Sequence, residues 1–191
     1  MKIIGINGSH KNDGNCAFLL DIVLSDLEKM GCETKTYNAT QVISDCKIPF
    51  CISCSSPCNK SCYGEKLKEV FEEFKTADAV VFASPVYFGS MSGQLKCLFD
   101  KTRDVRANNV LLGKIGLGIT CGASKYGGQE KALDAIHNCM LVNGMTIVGS
   151  SSTNLAGHMG ICAQAPSCDD EFAISRAHSG AKRIFEQLCK R

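Results

Sequence analysis

The chain has 191 residues, enough for one domain to bury its own core without covalent staples. Its 45% apolar and 21% charged residues exclude a disordered or membrane-embedded chain, and a net charge of +2 gives no electrostatic ground for binding nucleic acid or acidic lipid. Thirteen cysteines, an odd number, do not suit a secreted disulfide framework; with apolar runs too short to span a bilayer and no signal-like N-terminus, they predict a protein of a reducing cytoplasm.

In chain order, residues 2–7 form a short apolar run that predicts a buried parallel strand. It leads into Gly8-Ser9-His10-Lys11-Asn12-Asp13-Gly14-Asn15 and then into a helical pattern of Phe18, Leu19, Ile22, Val23, Leu27 and Met30 that ends at Gly31. A polar, glycine-bearing loop between a buried strand and a helix start suits a phosphate group. Backbone N–H groups point outward there, the helix dipole favours negative charge, and Ser9 and Asn15 add side-chain donors. An ordinary helix cap has a similar composition. A second strand is predicted over 33–39.

A cysteine-rich loop over 46–63 follows. Cys51, Cys54, Cys58 and Cys62 have gaps of two, three and three residues, which match neither a helix face nor a strand. Pro57 and small polar neighbours keep the segment in a loop. Four soft thiolate donors in one short loop can converge on an iron-sulfur centre. Structural zinc, a Cys51/Cys54 dithiol and four reduced cysteines without a ligand are the alternatives. Zinc more usually takes two separated pairs, and a single dithiol leaves Cys58 and Cys62 without a role. Cys46 lies just upstream, and the spacing leaves it out of the set. The other cysteines are scattered singly, as buried small residues often are.

Beyond the loop, Leu67, Val70, Phe71 and Phe74 mark a helix over 65–75, and 78–84 reads as a third buried strand. Its exit, Pro85-Val86-Tyr87-Phe88-Gly89-Ser90-Met91-Ser92-Gly93, is rich in backbone donors and aromatics and enters a helix through Leu95, Leu98 and Phe99. A fourth strand over 114–120 runs into a third loop, Cys121 to Gln129, then a helix over 130–143 and a fifth strand over 145–149. Residues 150–169 show no periodicity, and a final helix covers 170–188. Five apolar strands alternating with helices predict an α/β doubly wound, five-stranded parallel sheet in a single domain spanning 1–191, with ligands at the carboxyl edge of the strands. One loop suited to phosphate and two suited to a flat ring fit FMN. A dinucleotide is less well matched, because Gly8-Ser9-His10 lacks the G-x-G-x-x-G spacing.

Gly8-Ser9 with Gly14-Asn15, Ser84-Pro85-Val86-Tyr87-Phe88-Gly89 and Gly127-Gly128 together resemble the NADPH-dependent FMN reductase-like proteins of flavodoxin-like fold. With the compact cysteine loop, the chain resembles their iron-sulfur flavoprotein branch. The resemblance implies FMN held by Ser9, His10, Lys11, Gly14, Asn15, Cys16, Pro85, Val86, Tyr87, Phe88, Gly89, Thr120, Gly122, Tyr126, Gly127 and Gly128. It also implies a [4Fe-4S] cluster on Cys51, Cys54, Cys58 and Cys62. The family's usual middle gap of two residues would put the third ligand at Pro57, whereas this chain has Cys58. The implied activity is electron transfer from a ferredoxin-like donor or NAD(P)H to a small acceptor, in a homodimer or homotetramer. An NAD(P)H-dependent FMN, quinone or nitro reductase without a cluster, and a zinc-binding or thiol redox-sensing module, are the rivals. His10, His137, His158 and His178 have no matching nucleophile or metal pattern, so no general acid or base is assigned.

Overall fold

A computed structural model describes residues 1–149 and 158–190. The strands are β1 (Lys2–Asn7), β2 (Glu33–Asn38), β3 (Ala79–Pro85), β4 (Ile115–Gly122), β5 (Thr146–Ile147) and β6 (Ile161–Gln164). The helices are α1 (Asn15–Lys29), α2 (Ala39–Ile43), α3 (Glu65–Thr76), α4 (Gly93–Asp100), α5 (Arg103–Ala107), α6 (Gln129–Val142) and α7 (Glu171–Leu188). All strand pairs are parallel, in the order β2-β1-β3-β4-β5. The winding direction therefore reverses between β1 and β3, which opens a crevice at their carboxyl ends. No helix among the described residues is long and apolar enough to cross a membrane.

The fifth position of the sheet departs from the sequence expectation. Only Thr146 and Ile147 pair with β4, opposite Ile115 and Gly116, and β6 then takes over the same edge opposite Ile119 to Gly122. Residues 161–164 fall within the stretch expected to be irregular; residues 150–157 of that stretch lie outside the described residues. Ile-Cys-Ala-Gln is too short to show a period of its own, and it becomes a strand because β4 offers an open row of hydrogen-bonding groups.

Alternation along the strands divides the core. Ile3, Ala79, Val81, Ala83, Ile115, Leu117 and Ile119 face α1 and α7, while Ile4, Ile6, Val80 and Phe82 face α2, α3, α4 and α6. On β4 the second face is Gly116 and Gly118. A Cβ at Gly116 would lie 2.4 Å from the Met140 sulfur, and one at Gly118 2.4 Å from Leu133, so both glycines let α6 sit directly on the strand. Lys2, Lys35 and Glu73 tie β1 and β2 to α3 at the opposite end of the sheet from the loops described next.

Candidate functional site

Three loops leave the carboxyl ends of β1, β3 and β4, and hydrogen bonds join the first two into one surface. The Gly8 amide donates to the Ala83 carbonyl at 2.7 Å, and the Ser92 hydroxyl donates to the Gly8 carbonyl at 2.6 Å. Inside the first loop, Ser9 N–H donates to Asn7 Oδ1 (2.9 Å), Lys11 N–H to Ser9 Oγ (3.1 Å) and Asn38 Nδ2 to the Ser9 carbonyl (2.8 Å). Asn7, Ser9 and Asn38 are all buried, so the loop is shaped by the protein itself. The helix it feeds has Gly14 as N-cap, no side-chain cap and no acidic residue in its first turn. By contrast, α2, α4 and α7 are capped by Asn38, Ser92 and Asp170. The start of α1 thus leaves its first-turn amides free of side-chain acceptors beside exposed His10 and Lys11, an arrangement that fits a phosphate group.

The second loop turns back sharply. Tyr87 and Ser90 exchange both backbone hydrogen bonds, at 2.9 and 3.0 Å, around Phe88 (φ 49°) and Gly89 (φ 71°). Both central residues are left-handed, as in a type I′ turn, and a bulky side chain in that region costs on the order of 1 kcal/mol. The Phe88 ring is fully exposed at the tip. Tyr87 Oη lies 3.2 Å from His10 Nδ1, and the Val86 amide donates to the Cys121 carbonyl at 2.9 Å, tying the turn to the first loop and to β4.

The third loop meets the second through two glycines. Gly128 has φ 93°, and a Cβ there would lie 3.1 Å from the Gly89 Cα and 3.5 Å from Val86. Tyr126, also left-handed, is exposed beside them. Exposed Tyr87, Phe88 and Tyr126 around a side-chain-free contact fit a flat ring. On its far side this loop borders an open groove of about 970 Å³, completed by Gln164, Pro166, Asp170 and Phe172.

Several residues expected on the cofactor are buried or have their side chains already bonded within the protein. Thr120 has no exposed surface; its hydroxyl donates to the Gln129 carbonyl at 3.0 Å. Gly122 is buried, and a Cβ there would run into the Gln129 side chain. The Cys16 side chain is buried as well, and its hydrogen bond to Cys121, with burial, pushes its thiol far above the ordinary value. These three support the loops from behind, leaving Cys16 only its backbone for a ligand. Asn15 Oδ1 is already occupied, accepting from Ser167 N–H at 2.9 Å and Ser167 Oγ at 3.1 Å. Ser167, fully buried in a turn at Ser167–Asp169, has no signal in its own sequence neighbourhood. Of the histidines, His10 borders the site, whereas His137 is a core residue whose burial lowers its pKa.

The cysteine loop lies at the other end of α4. All cysteines of the chain are unpaired; Cys54 is exposed and Cys51, Cys58 and Cys62 are half-buried. Among the described residues no three His, Cys, Asp or Glu side chains gather closely enough to hold a metal ion, so the expected convergence of the four sulfurs is not displayed. Thiols do not attract one another, and ligand sets of this kind are drawn together by a shared metal. The chemistry of the donor set, four free thiols on one loop, suits a soft centre. Cys46 is buried in the core. Two residues unforeseen from sequence complete the surroundings. The Cys58 thiol donates to Tyr63 Oη at 3.8 Å, Tyr63 donates to the Lys101 carbonyl, and Lys101 Nζ lies 3.2 Å from Cys62 Sγ.

The family model described as NADPH-dependent FMN reductase matches residues 1–158. The chain belongs to that family. An iron-sulfur flavoprotein of Methanocaldococcus jannaschii is 33% identical over 97% of this chain and 96% of its own length. One from Methanosarcina thermophila is 32% identical over 98% and 95%. This NADPH-dependent FMN reductase relative therefore falls in the iron-sulfur flavoprotein branch and is a flavin-dependent oxidoreductase. The fold is shared with an NADH:FMN oxidoreductase (TM-score 0.71, 18% identity, 98% of this chain and 89% of that one). It is shared too with a WrbA-like flavodoxin protein from Agrobacterium tumefaciens (TM-score 0.68, 16% identity, 99% and 98%).

Proposed function

We propose that residues 1–191 form one FMN-binding domain that passes electrons between a [4Fe-4S] cluster on Cys51, Cys54, Cys58 and Cys62 and FMN above the β1–β3 crevice. A ferredoxin-like protein or NAD(P)H is the donor and a small molecule the acceptor. Four unpaired thiols on one loop of a chain similar throughout its length to iron-sulfur flavoproteins carry this reading. The α1 amides, the Ser9 hydroxyl and Lys11 would hold the phosphate, and Tyr87, Phe88, Tyr126 and the Gly89–Gly128 contact would line the ring. Bound FMN supplies one- or two-electron chemistry and a cluster one-electron chemistry; the protein supplies position and electrostatics. Helix α4, eight residues and so about 12 Å long, runs from its Ser92 cap at the second loop to Lys101 at Cys62.

Protein purified without oxygen is expected to contain about four irons, four sulfides and one FMN per chain and to bleach with dithionite. Absence of acid-labile sulfide would exclude the cluster. The second reading, an NAD(P)H-dependent reductase of flavin, quinone or nitro compounds without a cluster, is supported by the match to the NADPH-dependent FMN reductase family. Rapid NADPH oxidation unchanged by Cys58→Ala would select it.

A further inference from the structure

Lys101 is placed where an unpaired lysine is costly. It is 1% exposed, at the C-terminal end of α4, and its hydrocarbon stem is enclosed in the protein. The acids nearest in sequence are taken: Asp100 pairs with Lys96 at 2.5 Å and Asp104 with Lys60 at 3.3 Å. Among the described residues Lys101 has no carboxylate in ion-pair contact. Its Nζ instead points at Cys62 Sγ, 3.2 Å away, and stands 5.8 Å from the centre of the Tyr63 ring. Burying an ammonium against a neutral thiol compensates little of its desolvation, whereas a thiolate carrying a share of a net negative centre compensates much more.

We infer that Lys101 is a positioning residue for the cluster, setting its reduction potential through a fixed positive charge at Cys62. The inference rests on the proposal that the four cysteines hold an iron-sulfur cluster. Reduction adds one electron to that centre and breaks no bond, so its energy is sensitive to a nearby charge that does not move. A buried cation favours the more negative, reduced form and raises the potential. Nothing in 93–105 signals this role, because a lysine after a helix ordinarily complements the dipole from the surface.

The test compares wild type, Lys101→Met and Lys101→Arg, each purified without oxygen, by iron, sulfide and FMN content and by redox titration followed by electron paramagnetic resonance. Lys101→Met is expected to retain FMN and the cluster but to shift the one-electron equilibrium toward the oxidised form by about tenfold or more, ~59 mV. Lys101→Arg, which keeps the charge, should stay within about threefold of wild type. A wild-type potential in Lys101→Met overturns the inference and leaves the cluster intact as a proposal. Wild-type protein without iron or sulfide overturns the proposed function instead, and the inference with it. Should Lys101→Met lose the cluster, the same titration on Lys101→Gln, polar but uncharged, decides between the two outcomes.

Discussion

Ser92 has no exposed surface, and its hydroxyl serves two elements at once. It donates to the Gly8 carbonyl at 2.6 Å and accepts the Leu95 amide at 3.2 Å, capping α4 while fastening the first loop to the second. Ser92→Ala removes a cap and leaves a buried carbonyl unsatisfied, so chemical denaturation should show a loss of about 2–4 kcal/mol, with weaker FMN retention. Residues of this kind are only partly legible in the sequence. Gly14, Gly89 and Gly128 stand out, because a glycine in a strand-to-helix loop marks backbone that turns sharply or comes close to a neighbour. Lys101 and Ser167 do not: their chemistry arises from Cys62, 39 positions away, and Asn15, 152 positions away. Thr120, which the resemblance places on the cofactor, turns its hydroxyl instead to the Gln129 carbonyl at the start of the neighbouring helix.

At the scale of elements, α3 is held to the sheet by a charge network at the end remote from the loops. Lys2 pairs with Glu73, and Lys35 bonds Glu73 at 2.9 Å and Glu69 at 3.1 Å. The Lys2 ammonium first, and Lys35 after it, lower the Glu73 pKa from 4.5 to about 2. A carboxylate with a depressed folded-state pKa contributes stability that is complete above about 4.5 and disappears as pH falls through about 2. Glu73→Gln should therefore flatten the acid limb of a stability–pH curve in that window, checked by denaturation midpoints from pH 2 to 6. An acid limb identical to wild type would exclude Glu73 as its source. The helices themselves are legible because their apolar residues recur at three and four positions. The exceptions among the elements are β6, whose four residues take their extended form from the edge of β4, and the five-residue helices α2 and α5, which are too short to show a period.

For the whole molecule, the loops that carry the site are held by bonds within the protein, so a ligand there acts on the folded state. Adding FMN to cofactor-free protein at about 100 times its dissociation constant should raise the free energy of unfolding by about 2.7 kcal/mol, with a matching rise in melting temperature. No change in melting temperature would mean that the native crevice does not bind FMN. The same measurement on Gly128→Ala should show a smaller rise, because a methyl group there meets the Gly89 backbone and the left-handed φ disfavours it.

By itself the sequence determined the order of β1 to β5 and of α1, α3, α4, α6 and α7, the faces that are buried and the composition of the loops at the sheet edge. Each of these depends on residues close together in the chain, where periodicity and glycine placement are direct physical signals. Only the tertiary structure decided that Ser92 joins two loops, that Ser167 occupies Asn15, that β4 recruits a second strand for its open edge and that a buried lysine faces one of the four thiols. Those arrangements are set by which distant groups pack opposite one another, and local pattern carries the polarity of a side chain without naming the partner it will meet.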